Sequence, residues 1–514
     1  MRTLNILILL TLLLFIGCHD DKGNYDYTEL NEPLVEDMNY RYDLTFGDPL
    51  EIHPKLTFPG EQSLDVNYFW YLGDSLVCTE KDLVIESFTL RSGWVTANFI
   101  VEEAQTGIRY MNPFNISVSA PYETGWLILM DEGGKSKLAM IRENFQEEES
   151  GAITVVYKEI VDINSSTELG STPRRLVEHW AGKYSSVGLG EILVMNGTGD
   201  SYELSGEDLT PILKTIQEFN GEVYPAGFSP VDALYVTHFS FLLSEDGKLY
   251  FRQNMDPEAF HTGTYSTTPM EGPQNMELGF FIPSIYNKTS QGLFYDKHNR
   301  RYLLWADSYQ DFDPNDMGFL SRLDMVKKYP EGFSDLDDLK MDVVLVGSCD
   351  PYYDESVYFA ILKSDEGKYY MQQFSAKCWY GSISATPDFQ SEFPLANQLK
   401  EDSKMALTKD SKYVFISSDN KLYYASRAAK DKMVFHEYEA YLGGKIVQMR
   451  PVVTEDTGER LGVVDENGKF YVLDLSVQVM NNGGKVLYES QNRFGKVVDM
   501  IYKYGDRNLW AIGW

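Results

Sequence analysis

The sequence predicts an all-β chain, a β-sandwich followed by a β-propeller, on three observations. Strand-forming aromatics are abundant, with 35 Tyr, 28 Phe and 8 Trp in 514 residues. Short β-branched and aromatic runs alternate with Gly, Pro, Asn and Asp punctuation along the chain. One hairpin signature then returns at spacings of 38 to 68 residues, the size of a four-stranded propeller blade.

That signature is clearest at Asp465–Leu475, DENGKFYVLDL. An Asn-Gly step flanked by alternating apolar residues predicts a two-residue turn in which both positions take φ > 0. Relatives read SEDGKLYF from Ser244, DKHNRRYLLW from Asp296, SDEGKYYMQQF from Ser364 and SSDNKLYYAS from Ser417. The basic residue after each turn marks Lys135, Lys248, Arg300, Lys368, Lys421, Lys469 and Arg507, and a variant turn ends at Ser201. Eight hairpins span seven intervals, so seven blades are expected, with eight as the alternative. Val497–Tyr502 resembles an inner strand with no full blade after it, and Trp126–Met130 opens the array with no inner strand before it. Joining them, with Asn508–Trp514, closes the ring and buries both edges. Helical signal is confined to Leu209–Phe219 and to Asp335–Leu339, where Ser334 stands as an N-cap before Asp335, Asp337 and Asp338.

The sandwich is read from Leu50–Pro54, Val66–Leu72, Leu83–Ile85, Trp94–Val101 and Asn115–Val118, with turns at Pro59-Gly60, Gly73-Asp74, Ser92-Gly93 and Thr106-Gly107. Ahead of it, Arg2 and the apolar run Leu4–Ile16 have the proportions of a signal-peptide core and are too short to span a membrane. Phe15-Ile16-Gly17-Cys18 resembles the lipobox of bacterial lipoproteins, although Leu is usual where Phe15 stands. The resemblance implies cleavage before Cys18, acylation of its sulfur, and anchoring by lipid. His19-Asp20-Asp21-Lys22 resembles the export signal that sends Bacteroidetes lipoproteins to the outer face of the outer membrane.

The segment CHDDKGNYDYTELNE, Cys18–Glu32, resembles the mature start of the PKD-like family of Bacteroidetes lipoproteins, and Tyr68-Phe69-Trp70-Tyr71-Leu72-Gly73-Asp74 resembles the strand and turn of PKD domains. The resemblance implies a PKD/Ig-like sandwich with Trp70 as its core tryptophan. The expected organisation is a signal peptide at 1–17, an anchor and tether at 18–45, the PKD/Ig-like sandwich at 46–120 and the propeller at 121–514.

With 77 acidic against 45 basic residues the net charge is −32, a field that repels nucleic acid and keeps a surface protein soluble. Besides Cys18, Cys78, Cys349 and Cys378 have no zinc-site spacing; Cys349 and Cys378 fall in one repeat, and buried thiols are the default reading. No His-Glu-x-x-His, Gly-x-Ser-x-Gly or Walker-type phosphate loop occurs, and no two of the seven histidines have helical ligand spacing. These absences weigh against an enzyme without closing that reading, because sites assembled from distant blades leave no local string.

Two kinds of loop remain as candidates. Asp311, Asp313 and Asn315 alternate oxygen ligands as calcium prefers, but no Gly at the sixth position or Glu at the twelfth follows, so a solvated acidic loop is preferred and no cofactor is expected. Aromatics beside polar groups at Trp180, Tyr309, Tyr352, Tyr353, Trp379 and Tyr380 suit sugar or peptide binding, where rings stack and polar groups orient. Packing between blades is the competing reading for each, above all for Trp305, which lies inside a strand. The family resemblance implies a non-catalytic surface lipoprotein that binds or scaffolds a glycan, a peptide, or a TonB-dependent transporter and its lipoprotein partner. The alternatives are a propeller-based glycan hydrolase or lyase, and a structural spacer.

Overall fold

The computed structural model describes residues 32–505, apart from 61–63, 90–92, 148–152, 164–166, 180–188, 199, 237, 255–260, 283–290, 307–317, 353–354, 380–381, 409–411 and 455–457. The leader, Cys18 and Asn508–Trp514 lie outside these residues. The chain divides into two compact units, Met1–Ser119 and Ala120–Trp514.

The first unit is all β. Its main sheet orders the strands Arg41–Thr45, Arg109–Ser119, Gly93–Glu103, Val66–Leu72 and Ser75–Cys78, the first pair parallel and the rest antiparallel. Two short ribbons, Leu34–Glu36 with Lys55–Thr57 and Leu50–Ile52 with Leu83–Ile85, complete it. Strands therefore begin within the stretch expected to be tether. Val66–Leu72 turns alternate residues inward, which buries Trp70 and Leu72. Trp70 stacks on Phe99 at 4.2 Å and meets Phe114 edge-on, and its indole N–H donates to the Glu80 carbonyl at 3.0 Å. Trp70 is thus the core tryptophan, with its one polar atom satisfied.

The second unit is a seven-bladed propeller. Blade 1 holds Ser171–His179, Glu191–Thr198, Tyr202–Leu204 and Pro211–Lys214, from inside outward. Blade 2 holds Pro230–Tyr235, Phe239–Ser244 and Leu249–Gln253; blade 3 holds Leu278–Ile282, Gln291–Asp296, Arg301–Ala306 and Phe319–Arg322. Blade 4 holds Asp342–Tyr352, Glu355–Lys363, Tyr369–Trp379 and Ser382–Glu392; blade 5 holds Met405–Leu407, Tyr413–Ser418, Lys421–Ser426 and His436–Glu437. Blade 6 holds Ile446–Thr454, Gly458–Asp465, Phe470–Asp474 and Val486–Glu489. Blade 7 is built from both ends of the unit: Lys496–Lys503 is innermost, followed by Gly125–Glu132, Lys135–Glu147 and Ile153–Ile163. Each inner strand packs against the next, and that of blade 7 packs against those of blades 6 and 1, so the ring is closed.

Closure works because apolar residues of the opening strand find their match in the last one. Trp126 lies opposite Tyr502 and Ile128 opposite Met500. Trp126 is fully buried, 4.9 Å from the Tyr502 ring and 5.2 Å from Phe470. Gly462 makes room for it, since a Cβ there would fall 2.3 Å from the indole nitrogen. Trp305, fully buried against Phe239 and Phe241, is likewise packing between blades 2 and 3.

The recurring hairpin joins the second strand to the third in every blade, at Lys135, Ser201, Lys248, Arg300, Lys368, Lys421 and Lys469, while Arg507 lies outside the described residues. In blade 7 it takes the expected two-residue form, Glu132 pairing with Lys135 across Gly133 and Gly134, both at positive φ, whereas in blades 2, 4 and 6 it departs from that form. Around Asn467, the Asp465 N–H donates to the Lys469 carbonyl at 3.0 Å, the Gly468 N–H donates to the Asp465 carbonyl at 2.9 Å, and of the turn residues Gly468 takes positive φ. Blades 2 and 4 repeat these bonds at Ser244–Lys248 and Ser364–Lys368, with Gly247 and Gly367 at φ 79°. This is a longer loop ending in a left-handed glycine, which leaves the preceding Asn, Asp or Glu in ordinary conformation.

Neither expected helix forms as such. Pro211 opens the outermost strand of blade 1, an edge position where a missing N–H does no harm, and Thr215–Glu218 follows as a 3-10 turn. At Asp335–Leu339 the chain turns instead. Asp335 Oδ1 accepts the Asp337 N–H at 2.9 Å and the Tyr329 hydroxyl at 2.7 Å, while Leu336 and Leu339 are buried and bond to blade 3 through Tyr302 and Arg300. Cys349 and Cys378, in the inner and third strands of blade 4, form no disulfide.

Candidate functional site

All seven inner strands line a central cavity of about 440 Å³. Its wall is two-sided. Blades 3, 4 and 5 contribute Phe280, Phe281, Ile282, Leu345, Val346, Met405 and Leu407, whereas blades 6, 7, 1 and 2 contribute Arg450, Tyr502, Tyr504, Arg175, Glu178 and Asp232. Inner strands on both sides bulge, at Leu278/Phe280 and Val343/Leu345 on the apolar side as well as along the polar arc. Register shifts at Pro173/Arg175, Pro230/Asp232, Ile446/Gln448 and in the pairing of Asp499 turn the next residue toward the neighbouring strand.

The acids of this arc are mostly committed to the scaffold. Asp232 accepts the Ala233 N–H at 2.8 Å and the Phe281 N–H of blade 3 at 3.0 Å, and it pairs with Arg175. Asp499 accepts the Met500 N–H at 2.8 Å and the Leu176 N–H of blade 1 at 2.9 Å. Arg450 donates to the Met500 carbonyl at 3.2 Å, and burial pulls its guanidinium below the ordinary value. Against the desolvation of Arg175, Asp232 and Asp499 raise its pKa. Charges thus alternate from blade 6 to blade 2 as Arg450, Asp499, Arg175 and Asp232.

Glu178 differs. It is buried, and neither carboxyl oxygen has a hydrogen-bond partner among the described residues. Burial pushes it up to about 7, with Lys503 opposing the rise; burial pulls Lys503 down to about 8, and its ammonium donates to the Gly206 carbonyl at 2.6 Å. Glu178 is the acid of the cavity that is open to take or give a proton.

Next to it, between blades 1 and 2, lies a second polar cluster. His179, Glu191 and Glu203 are buried on blade 1, and they meet Tyr235, Arg252, Glu218 and His261. This is the group of described residues whose donor set suits a metal ion.

Of the residues singled out by sequence, Trp180, Tyr309, Tyr353, Tyr380, Asp311, Asp313 and Asn315 lie outside the described residues, as does Cys18. The backbone of Tyr352 ends the inner strand of blade 4, opposite Glu355, and that of Trp379 ends the third strand, opposite Ser382. The described strands that precede these positions in the sequence end in one pattern. Trp180 follows the inner strand of blade 1, Tyr309 the third strand of blade 3, Tyr353 the inner and Tyr380 the third strand of blade 4. First and third strands of every blade run the same way, so these ends share one face of the ring, opposite the face of the repeated hairpins. Sequence reading missed Glu191, Glu203, Glu218, His261 and Lys503. The available signal was a charge flanked by apolar residues inside a strand, as in Tyr202-Glu203-Leu204 and Ile501-Tyr502-Lys503.

Fold and cavity define an all-β chain in which a closed seven-bladed propeller follows a smaller β unit. The sequence profile of the PKD-like family matches residues 18–173. No curated protein matches the chain. Among solved structures, a quinoprotein alcohol dehydrogenase-like protein from Bacteroides thetaiotaomicron is 13% identical, with 92% of this chain and 99% of that one covered and a TM-score of 0.39. A functionally unknown protein from Desulfotomaculum acetoxidans is 9% identical over 74% of this chain and 99% of that one, at a TM-score of 0.40. Sqt1 of Chaetomium thermophilum, solved with the N-terminus of ribosomal protein L10, is 9% identical over 61% and 74%, at 0.36.

Proposed function

We propose that this protein is a non-catalytic lipoprotein of the outer-membrane surface, anchored through Cys18, whose propeller holds a glycan, a peptide or a transporter subunit in a TonB-dependent uptake system. The observation that carries the reading is the shared face. The described strands ending at His179, Ala306, Tyr352 and Trp379 all end on the side away from the hairpins, and the sequence that follows each is rich in aromatic and polar residues, a composition that suits sugar or peptide recognition. The hairpin face repeats the same turn bonds in blades 2, 4 and 6, as scaffold does. The test is binding of full-length protein to a panel of soluble oligosaccharides, peptides and detergent-extracted outer membrane. Loss of retention in the variant W180A/Y309A/Y353A/Y380A supports the reading. Failure of the folded wild type to retain any of the three classes removes it.

Glu178 favours a second reading, a propeller-based glycan hydrolase or lyase. A carboxyl lifted to about 7 by burial is suited to acid or base work. Hydrolysis needs a second carboxyl about 5 to 9.5 Å away, and the other acids of the polar arc, Asp232 and Asp499, are occupied by backbone N–H groups. Binding therefore fits the cavity better. Glycan cleavage by wild type that disappears in E178Q would reverse the order.

A further inference from the structure

Blade 1 turns three metal-ligating side chains toward blade 2. His179 ends its inner strand, Glu191 opens the second and Glu203 lies on the third. His179 stands opposite Glu191 in register, and Glu203 stands opposite Leu193, two residues beyond Glu191. Because side chains alternate with a period of two, all three project from one face of the sheet. One donor atom from each lies within 4.8 Å of the others. His179 Nε2 is 3.1 Å from Glu203 Oε2, a separation that suits two ligands each about 2.0 to 2.2 Å from one ion.

The ligands are held from behind. Tyr235 donates its hydroxyl to Glu203 Oε1 at 3.0 Å and stacks its ring on His179 at 3.7 Å between centroids. His261 bonds Glu191 Oε2 through Nε2 at 2.5 Å and Glu218 Oε1 through Nδ1 at 2.8 Å, and Arg252 pairs with Glu218 in turn. Outer partners of this kind fix ligand orientation in metal sites.

Charge points the same way. Glu191, Glu203 and Glu218 are 9%, 0% and 4% exposed, so three carboxylates share a buried space with Arg252 and His261. His179 lies in the same space, and carboxylates crowded out of water are stabilised by cations placed among them. Glu218 Oε2 also has no hydrogen-bond partner among the described residues.

We propose that His179, Glu191 and Glu203 bind one divalent transition-metal ion, zinc in the first instance, on the face of blade 1 that meets blade 2. An imidazole with two carboxylates suits zinc, whereas calcium takes six to eight oxygens. Three protein ligands leave a fourth position for water or a further ligand, and the side chains of Glu191 and His261 are 11% and 15% exposed against 1% for His179 and 0% for Glu203. The ion ties three strands of blade 1 together and, through Tyr235 and His261, joins them to their surroundings.

The test uses full-length protein in detergent, dialysed against a chelator and titrated with Co²⁺. One equivalent is expected to produce visible d–d absorption that Zn²⁺ displaces, and Zn²⁺ is expected to raise the thermal midpoint. H179A loses the absorption. Y235F, which keeps every ligand, retains it with affinity about 10- to 100-fold weaker, a graded loss that misfolding does not produce. The proposal is overturned if chelator-treated wild type keeps its β-sheet circular dichroism and takes up neither ion at micromolar concentration. Wild-type uptake by folded H179A or E203Q overturns it equally.

Discussion

The Arg460 guanidinium grips the Glu143 carboxylate at both ends, with Nη1 to Oε1 at 2.5 Å and Nη2 to Oε2 at 3.1 Å, and both side chains are buried. Arg460 belongs to blade 6 and Glu143 to blade 7, whose inner strand supplies Tyr502 to donate to Glu143 Oε2 at 2.5 Å. The pair therefore spans the seam where the end of the propeller chain meets its beginning. Removing one partner leaves the other charged and buried, which costs about 3 to 5 kcal/mol. R460A is expected to lose stability on that scale in urea unfolding, and R460M/E143M to lie closer to wild type than R460A does. A double-mutant cycle with little coupling contradicts this.

Glu159 clasps the same seam and adds a pH dependence. Its carboxylate accepts the Tyr488 hydroxyl and the Gln491 N–H at 2.5 Å each, and both donors of Asn492 at 2.7 and 2.8 Å. Burial raises this carboxyl, and the hydrogen bonds outweigh burial, holding it below the ordinary 4.5. A depressed carboxylate contributes stability that is fully present above its unfolded pKa and is lost as pH falls through the folded one. The gap in thermal midpoint between wild type and E159Q is expected to be constant from neutral pH to about 4.5 and to shrink below it. A gap that widens on acidification contradicts the assignment.

Gly468 is required by its turn in a way that its conspicuous neighbour is not. It sits at φ 75°, and a Cβ there would lie 2.8 Å from the backbone of Phe494 and Gly495. G468A is expected to cost about 1 to 3 kcal/mol and N467A about 0.5 kcal/mol or less, compared by chemical denaturation. The opposite ranking would return the turn to an Asn-Gly form with two positive φ angles.

Much of the architecture was legible because hairpins are local. Each Gly-Lys or related turn carries its own signal, and counting them gave the blades and the closure of Lys496–Lys503 onto Gly125–Glu132. The helix expectations failed for a physical reason. Ile212, Leu213, Ile216 and Phe219 suit either a helical or a strand period over so short a stretch, and strand pairing with Tyr202–Leu204 decided it. The buried polar cluster was illegible because His179, Glu191 and Glu203 are 12 residues apart at each step and meet through strand register alone. Local strings cannot report that. That the strands preceding the aromatic-rich connections end on one face follows from strand direction, which no single stretch of sequence carries.

We propose that recognition belongs to the face bearing the connections after first and third strands. The most direct test compares two folded full-length variants in one retention assay against oligosaccharides, peptides and solubilised outer membrane. One is W180A/Y309A/Y353A/Y380A; the other alters the hairpin face at D246N/E366Q/E466Q. The first is expected to lose at least tenfold in retention and the second to keep wild-type retention. Wild-type retention by the first variant with loss in the second would contradict it.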